Sequence, residues 1–228
     1  MRISVVIAAF NAEDTIAEAL ASVLGQTLPP HEIIVVDDGS TDRTAQVAEA
    51  SGSVQVVRQS NRGAAAATNV GVKAASGNLL AFIDADDLWE QNKLAMQTRD
   101  LTEHPEFDGV SGYMRSFLCP TNDAEANSRY RIPIEAEPAW VLGAMLFRRH
   151  CFEGPEPFAE NLAAGYFIDW FDRVRGAGLA FGMMPNVVLR RRIRPGSLSH
   201  RSQKRNEAMV EMARRAIERR RTAGVPPQ

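Results

Sequence analysis

The chain has 228 residues, of which 45% are hydrophobic and 24% are charged, a composition typical of a water-soluble globular domain. No apolar run reaches the length of a membrane span, and the first residues lack the basic and apolar regions of a signal peptide. The net charge is only -2 and there are two cysteines, too few for a disulfide framework, so these features predict a cytoplasmic protein with reduced thiols.

Apolar runs alternate with amphipathic segments in the first half of the chain. The runs are short and rich in β-branched residues, as buried strands are, and the segments between them repeat apolar positions at helical spacing. Thr41 or Asp42 can cap the second helix. This order predicts a parallel sheet with right-handed crossovers. The predicted strands cover residues 3–8, 32–36, 54–58 and 79–83, and the predicted helices cover 11–24, 42–50 and 64–75.

Three carboxylates, Asp84, Asp86 and Asp87, follow the fourth predicted strand. In open α/β sheets, ligands bind at the carboxyl ends of the strands. Acids this close repel one another and stay ionised most readily when a cation lies between them. Their hard oxygen atoms favour Mg²⁺ or Mn²⁺, which usually also bind substrate phosphates. The alternative interpretation is a solvated acidic turn that caps the next helix.

Polar residues follow the other predicted strands at the same edge of the sheet, at 10–11, 37–38 and 61–63. Together with the acids, they predict one nucleotide-sized site built from four loops. The alternative is that each loop is an ordinary polar turn. The sequence has no Walker pattern and no dinucleotide glycine pattern, which excludes a P-loop and an NAD site. No nucleic-acid partner is predicted.

The second half of the chain is less regular, and no clear linker separates it from the first. We expect strands and helices of the same domain here, with a polar, Pro-punctuated loop that is mobile and lies beside the site. The predicted helices cover residues 90–103, 162–176 and 203–221, the predicted strands cover 107–118, 142–147 and 179–192, and the loop covers 120–138.

Several of these segments, taken in order, carry a family resemblance. They are residues 4–11 (Ser-Val-Val-Ile-Ala-Ala-Phe-Asn), 19–27, 34–42 (Ile-Val-Val-Asp-Asp-Gly-Ser-Thr-Asp), 61–63, 67–71 and 84–87 (Asp-Ala-Asp-Asp). The set resembles family 2 glycosyltransferases of the GT-A fold. The resemblance implies a single α/β domain of GT-A type, with a Rossmann-like, mostly parallel sheet flanked by helices. Residues 1–100 would form the nucleotide-sugar-binding half, residues 101–200 the acceptor-side half of the same domain, and residues 201–228 a basic C-terminal helix and tail.

The resemblance also implies roles for individual residues. Asp38 would hydrogen-bond the base or the ribose, and Asp37 would support the loop. Asp86 would be the principal ligand of a Mg²⁺ or Mn²⁺ ion bound to the donor diphosphate, and Asp84 would contact the ribose or the metal. The other residues expected at the nucleotide sugar are Ala8, Ala9, Phe10, Asn61, Gly63 and Ala85.

The sequence departs from the family pattern where the catalytic base belongs. Tyr166 and Phe167 stand where the family often has a Glu-Asp pair. Asp169, in the same predicted helix, is therefore the candidate general base, with Asp172 in reserve. The alternative interpretation is that Asp169 forms an ion pair with Arg173, four residues later.

A second departure lies near the end of the family match. Arg194 stands where the family has a His that often binds the metal. Because a guanidinium binds phosphate well, Arg194 is expected at the donor diphosphate. His200, nearby in the sequence, is either a substitute metal ligand or a surface residue.

These features predict a glycosyltransferase of the hexosyltransferase class (EC 2.4). It would move a sugar from a nucleotide-diphosphate sugar, with a UDP-sugar as the default, to the hydroxyl of an unknown acceptor. The reaction would depend on a divalent metal and would invert the anomeric centre. The main alternative is a catalytically impaired protein of the same fold that binds a nucleotide sugar or a partner enzyme. A nucleotidyltransferase is less well supported, because the first loop is not rich in Gly, Arg or Lys.

The C-terminal end of the chain is strongly basic. Residues 189–221 contain twelve Lys and Arg against three Asp and Glu, and the predicted helix 203–221 has an apolar side. This combination predicts peripheral contact with anionic lipid at the inner face of the membrane. The alternative is that the apolar side packs on the body of the protein or forms a homodimer.

Overall fold

The computed structural model describes residues 1–120, 132–153, 157–162 and 164–194. Its first half alternates strand and helix, and the strands pair in parallel in the order β3-β2-β1-β4. The predicted parallel sheet of the first half is therefore confirmed. The elements are β1 (Ile3–Ala9), α1 (Ile16–Leu24), β2 (Glu32–Asp37), α2 (Thr44–Ala50), β3 (Gln55–Arg58), α3 (Ala64–Ala74) and β4 (Leu79–Phe82).

The second half extends the same sheet beyond β4 in the order β8-β6-β9-β5, with β7 paired to β6. β8 runs antiparallel to β4 and β6, whereas β9 runs parallel to β6. Both halves thus share one mixed sheet, and the division at residue 100 stays a prediction. The elements are β5 (Leu88–Trp89), α4 (Lys93–Glu103), β6 (Gly109–Leu118), β7 (Glu137–Pro138), β8 (Leu146–Arg148), α5 (Tyr166–Gly176) and β9 (Phe181–Ile193).

Helices cover both faces of the sheet, which is why its central strands are apolar on both sides. Residues of α1, α2 and α4 pack with one set of strand side chains, and residues of α3 and α5 pack with the other set. α3 lies especially close to the sheet, since a Cβ atom at Gly71 would come within 2.2 Å of Val6. The carboxyl edge of the parallel strands is left for the loops.

An aromatic cluster fills the space between the sheet and α5. The rings of Phe152 and Trp170 stack with centroids 4.7 Å apart, and Phe147 meets Trp170 edge to face at 5.3 Å. Phe82, at the end of β4, contacts Phe147 and Phe158 in the same cluster. These contacts fix α5 against β4, the strand that precedes the acidic loop.

The first helix begins later than predicted, at Ile16 rather than near residue 11. The backbone N–H of Ala12 donates to Thr44 Oγ1, and that of Glu13 donates to Asp42 Oδ2. These bonds hold Ala12 and Glu13 against the loop after β2. Residues 13–15 therefore form an isolated turn, and the helix starts only after it. Asp42 also accepts a hydrogen bond from the Thr44 N–H, but the N-cap residue of α2 is Arg43, one residue later than predicted.

The strand predicted over 142–147 is wrong in its first half, where residues Leu142–Ala144 form a single 3₁₀ turn. Side chains from β5 and α4 bind the carbonyl groups that a strand would have used. Trp89 Nε1 donates to the Gly143 carbonyl, and Gln97 Nε2 donates to the Ala144 carbonyl. The strand proper is β8, which is only three residues long.

Other boundaries in the second half also differ from the predictions. The helix predicted from residue 162 begins at Tyr166. The helix predicted from residue 90 begins at Lys93, because residues 88–89 form β5 and the Glu90 N–H bonds to the Val188 carbonyl of β9. The loop predicted over 120–138 ends in β7, and most of it lies outside the described residues, as does the predicted helix 203–221.

Candidate active site

The loop after β1 is tied to the loop after β2. Asn11 has a left-handed backbone, with φ of 47°, which turns the chain away from the sheet. Its N–H donates to Ser40 Oγ, and its Oδ1 atom accepts from the Thr41 N–H at 2.9 Å. Phe10 consequently lies at the sheet edge with 48% of its surface exposed, while Ala9 is buried and Ala8 half-buried. An exposed aromatic face is suited to stacking on a base.

Asp38 holds the loop that follows β3, the third loop of the site. Its carboxylate accepts hydrogen bonds from Gln59 Nε2 at 2.7 Å, the Arg62 N–H at 2.9 Å and the Gly63 N–H at 2.8 Å. The side chain is buried, so these bonds to a charged acceptor are strong. The structure thus gives Asp38 a scaffold role, and its contact with a nucleoside stays a prediction.

Two neighbouring residues complete the contact between the second and third loops. Asp37 accepts a hydrogen bond from the Ser40 N–H at 3.3 Å, as expected of a loop support. Gly39 has φ of +74°, and a Cβ atom there would lie 2.7 Å from the backbone nitrogen of Asn61. Only glycine fits this contact without a shift of the backbone. The loops that contain Asn61 and Gly63 are therefore held in place by residues 37–39.

The acidic loop follows β4 at the same edge of the sheet. Asp84 is accessible to solvent, although neighbouring protein atoms partly desolvate its carboxyl group. Desolvation and the neighbouring Asp86 raise the pKa of Asp84 to about 6, against the opposing effect of Arg191. The Asp84 anion is thus poorly compensated, which favours a cation at this position. Ala85, between the two acids, is buried.

Arginines at the end of β9 hold the acidic loop. Arg194 Nε donates to Asp86 Oδ2 at 2.9 Å, and Arg192 Nε donates to the Asp86 carbonyl at 2.7 Å. The Arg192 N–H also donates to Asp87 Oδ1 at 2.8 Å. Burial, with the charges of Asp84 and Asp86, raises the pKa of Asp87 well above its usual range. Asp87 thus anchors the loop from within the protein, whereas Asp84 is exposed and Asp86 is half-buried.

Tyr166, at the start of α5, comes close to the acidic loop. Its phenol forms a hydrogen bond with Thr68, and burial and the nearby Asp84 carboxylate raise its pKa well above the usual range. Tyr166 is therefore a hydrogen-bonding group at neutral pH, not a base. The sequence places Tyr166 where the family has an acid, but its closeness to Asp84 could not be predicted from the sequence. Arg191 and Arg192 were also missed, because an Arg-rich strand end indicates only a basic surface.

Asp169 is buried, with its side chain 2% exposed, and its Oδ2 atom accepts from Arg173 Nε at 3.1 Å. Arg173 also donates to the Pro157 carbonyl, so the pair links α5 to the segment 157–162. This contact matches the ion pair that was the alternative interpretation, and the role of Asp169 as general base stays a prediction. Asp172, the reserve candidate, lies on the exposed side of α5.

The acids of the site fit a divalent ion only in part. Within the described part of the chain, no group of three or more His, Cys, Asp and Glu side chains could hold a metal. Asp84 and Asp86 could contribute carboxylate oxygens, and Mg²⁺ usually completes such a pair with water and substrate phosphates. The residues therefore fit a metal that binds together with a diphosphate. His200, the other candidate ligand, lies outside the described residues.

The sheet order and the loop arrangement are those of the GT-A class of fold. The structure of Mannosyltransferase PcManGT from Pyrobaculum calidifontis, in complex with GDP-Man and Mn²⁺, matches with a TM-score of 0.75 over 95% of this chain and 64% of that chain, at 20% identity. S. aureus TarS 1-349 in complex with UDP-GlcNAc matches with a TM-score of 0.71 over 86% and 60%, at 22% identity. At these identities the likeness establishes the fold, and the predicted GT-A class is confirmed.

The family follows from the sequence match. The model of Glycosyl transferase family 2 matches residues 4–175, well over half of the chain, so the chain belongs to that family. The uncharacterized glycosyltransferase EpsJ from Bacillus subtilis is 30% identical over 169 residues, 66% of this chain and 49% of that protein. The Escherichia coli UDP-Glc:alpha-D-GlcNAc-diphosphoundecaprenol beta-1,3-glucosyltransferase WfgD is 43% identical over 98 residues, 42% and 39% of the two chains. The chain thus spans less than half the length of these two relatives.

Proposed function

We propose that this chain binds a nucleotide-diphosphate sugar, with a UDP-sugar as the first candidate, and transfers the sugar to an acceptor hydroxyl with inversion. The observation that carries the proposal is that four loops follow parallel strands at one sheet edge, where Phe10 is exposed and Asp84 and Asp86 follow β4. The family supports sugar transfer. The complexes of the GT-A relatives with UDP-GlcNAc and GDP-Man support a nucleotide sugar as the ligand.

Each part of the cleft suits a different part of the donor. Phe10 offers an aromatic face to the base, and Ala8, Ala9, Asn61 and Gly63 would border the nucleoside. Their loops are held in place before a ligand arrives, so binding would not have to order them. The diphosphate would lie towards the acidic loop and Arg194. Preorganised cationic groups at this position would stabilise the charge that develops on the leaving diphosphate.

Asp84 and Asp86 would hold a divalent ion, Mg²⁺ or Mn²⁺, together with the donor diphosphate. When bound, such an ion neutralises the leaving group. The raised pKa of Asp84 supports this placement, because a nearby cation would stabilise its anion. The Mn²⁺ in the mannosyltransferase complex is a second line of support.

The transfer itself would exchange one bond for another at C1 of the sugar. The acceptor oxygen forms a bond to C1, the bond from C1 to the diphosphate oxygen breaks, and the acceptor proton passes to a carboxylate. Asp169 is the sequence's candidate for that carboxylate, with Asp172 in reserve. The burial of Asp169 and its bond to Arg173 mean that α5 would have to open this pair before Asp169 could reach an acceptor.

That contact also favours a second candidate function, a protein of the same fold that binds the nucleotide sugar or a partner enzyme without rapid transfer. Phe167 is buried where the family pattern has an acid, and Tyr166 is not basic at neutral pH. The two candidates predict the same binding and differ only in turnover.

Binding and turnover should therefore be measured on the same preparation. Calorimetric titrations with UDP and GDP, each with Mn²⁺ and with EDTA, would be followed by a donor-hydrolysis assay on a panel of UDP- and GDP-sugars. We expect UDP binding that is tighter with Mn²⁺, and slow donor hydrolysis. NMR of the first-formed sugar would then show inversion at C1.

Two variants make the assay specific. Asp86→Asn should lose the effect of Mn²⁺ on UDP affinity, whereas Glu103→Gln, which removes an exposed acid from α4, should retain it. Binding without hydrolysis for every sugar would favour the non-catalytic candidate. Absence of binding to either nucleotide would overturn the proposal.

The remaining predictions concern the acceptor and the location of the protein. Within the described residues, no helix is both long and apolar enough to cross a membrane. The acceptor, the cytoplasmic location and the contact of the basic end with a membrane or with a second copy stay predictions. The lipid-linked acceptor in the name of WfgD makes lipid-linked saccharides the first acceptors to assay.

A further inference from the structure

The positive charges beside the acidic loop come from one short segment, the end of β9. Arg194 bonds the Asp86 carboxylate at 2.9 Å, and Arg192 bonds the Asp86 carbonyl at 2.7 Å. Arg191 acts electrostatically on Asp84 and Asp87. The chain thus supplies its own counter-charges to the acids that would bind a metal.

The arginines at Asp86 differ in burial and in the number of groups that hold them. Arg192 has a side chain that is 3% exposed, and it bonds the Asp86 carbonyl, Glu18 and the ring face of Phe117. It is a fixed part of the framework. Arg194 is 33% exposed and bonds Asp86 through Nε. Within the described residues its two terminal nitrogens have no hydrogen bond, so they remain available to another acceptor.

The bond between Arg194 and Asp86 opposes the binding of a free divalent ion. An ion at Asp86 would lie next to a guanidinium, and two cations a few ångströms apart repel each other. A diphosphate changes this balance, because its oxygens offer the guanidinium a bidentate, doubly charged partner. Arg194 would therefore form stronger hydrogen bonds with the diphosphate than with the one Asp86 oxygen that it now contacts.

We propose that Arg194 is an exchangeable counter-ion, which neutralises Asp86 in the nucleotide-free chain and transfers to the diphosphate of a bound nucleotide, freeing Asp86 for a divalent ion. The inference rests on the proposed function, since it requires a nucleoside diphosphate in the cleft. It makes metal binding conditional on nucleotide binding. By thermodynamic linkage, the metal then strengthens the nucleotide to the same degree.

The test is a pair of affinities measured on Arg194→Gln. Mn²⁺ binding without nucleotide is read from the electron paramagnetic resonance signal of the free ion, and UDP binding in EDTA is read by calorimetry. We expect the variant to bind Mn²⁺ about fivefold more tightly and UDP about fivefold more weakly than the unmutated chain, since exposed ion pairs are worth about that much. A purely structural role for Arg194 would not produce changes of opposite sign.

Arg190→Gln is the matched control. Arg190 is exposed on the same strand and contacts the ring of Phe117, so its loss removes one positive charge without breaking the bond to Asp86. It should change both affinities less than twofold. Arg194→Lys retains the charge and should fall between the unmutated chain and Arg194→Gln.

Other outcomes would overturn the exchange. The exchange is excluded if the two affinities of Arg194→Gln change in the same direction or stay within twofold of the unmutated values. It is also excluded if they equal those of Arg190→Gln. In these cases UDP still binds, and the proposed function stands. A chain that binds neither UDP nor GDP under any condition would instead overturn the proposed function, and the exchange with it.

Discussion

The proposed nucleotide side of the site, formed by the loops after β1 to β3, and the proposed acceptor side, formed by α5 and the strands it covers, are held together by different forces. On the nucleotide side, oxygen atoms of Asn11, Asp38 and Thr44 accept hydrogen bonds from backbone N–H groups of neighbouring loops. On the acceptor side, stacked and edge-to-face rings of residues such as Phe152 and Trp170 hold α5 against the sheet. The nucleotide side is thus a set of polar bridges between loops, and the acceptor side is part of the hydrophobic core.

This difference explains why the two sides depart unequally from the family pattern. A polar bridge depends on one acceptor at one position, so the loops after β1 and β2 need their particular Asn and Asp residues. An aromatic cluster depends on filled volume and tolerates exchange among large apolar residues. Helix α5 has Tyr166 and Phe167 where a catalytic pair belongs, and its buried acid, Asp169, binds Arg173.

The largest effect should follow from removing the acceptor that bridges the loops. Asp38→Ala leaves the Arg62 and Gly63 N–H groups and the Gln59 amide without their charged partner. We expect the free energy of unfolding to fall by about 3 kcal/mol and UDP affinity to fall about tenfold. Urea denaturation and calorimetry measure the two changes. Unchanged stability would mean that the carboxylate does not hold the loop.

Loss of UDP affinity in Asp38→Ala could also reflect a direct contact with the nucleoside, and a pair of glycine variants separates the two causes. Gly39 and Gly52 both have positive φ, but only a Cβ atom at Gly39 would collide with a backbone atom, that of Asn61. Each substitution by Ala should cost about 1 kcal/mol for the backbone conformation. Only Gly39→Ala should also weaken UDP binding. If it does not, the affinity lost in Asp38→Ala comes from direct contact.

The sequence could predict the nucleotide side because each signal there is local. A short apolar run that ends in Asp37 or Asp84 predicts a strand and places the acid at the carboxyl end of that strand. Parallel pairing then brings these strand ends to one edge of the sheet. The convergence of four loops therefore followed from the strand-helix alternation. What the sequence could not show is that Asp38 uses its oxygens on backbone groups, because the donors lie more than twenty residues away.

The acceptor side could not be predicted as well because its determinants are far apart in the chain. The turn at Leu142–Ala144 is bent by Trp89 and Gln97, some fifty residues earlier. The arginines at Asp86 come from the end of β9, more than one hundred residues later in the chain. Hydrophobic periodicity contains no information on such pairs, so the predicted strand was too long and Arg192 was missed.

A buried amine at the start of α4 gives another prediction. Lys93 is fully buried, and its Nζ atom contacts Gln97 Oε1, the Met145 carbonyl and the ring of Trp89. Desolvation lowers the pKa of Lys93 well below 10.5. The unfolded chain then binds a proton that the folded chain does not, so this group makes stability rise with pH, from the folded pKa up to about 10.5.

Lys93→Met removes that dependence while keeping the volume of the side chain. For each unit that the pH rises, the free energy of unfolding of the unmutated chain should increase by about 1.4 kcal/mol relative to that of Lys93→Met. Urea denaturation from pH 7 to pH 10 measures it, with the exposed Lys73→Met as control. A difference independent of pH would show that the ammonium stays charged inside the protein, held by its oxygen partners and the indole face.

The smallest effect is expected on the acceptor side, at the acid that the sequence proposed as general base. Asp169→Asn breaks the bond between a buried carboxylate and Arg173, a side chain that is 35% exposed. Because Asn can still accept a hydrogen bond from the guanidinium, we expect a loss of about 1 kcal/mol in the free energy of unfolding. UDP affinity should not change, since both partners belong to α5 and not to the loops after β1 to β4.

Donor hydrolysis decides whether Asp169 also has a chemical role. If the carboxylate serves only the ion pair, Asp169→Asn should keep most of the hydrolytic rate. A general base contributes about a hundredfold or more, so a loss of that size with intact UDP binding would instead mean that the pair opens during the reaction. Asp172→Asn, on the exposed side of the same helix, is the matched variant. If only Asp172→Asn loses hydrolysis, Asp172 is the general base, and α5 contributes to catalysis through its exposed side.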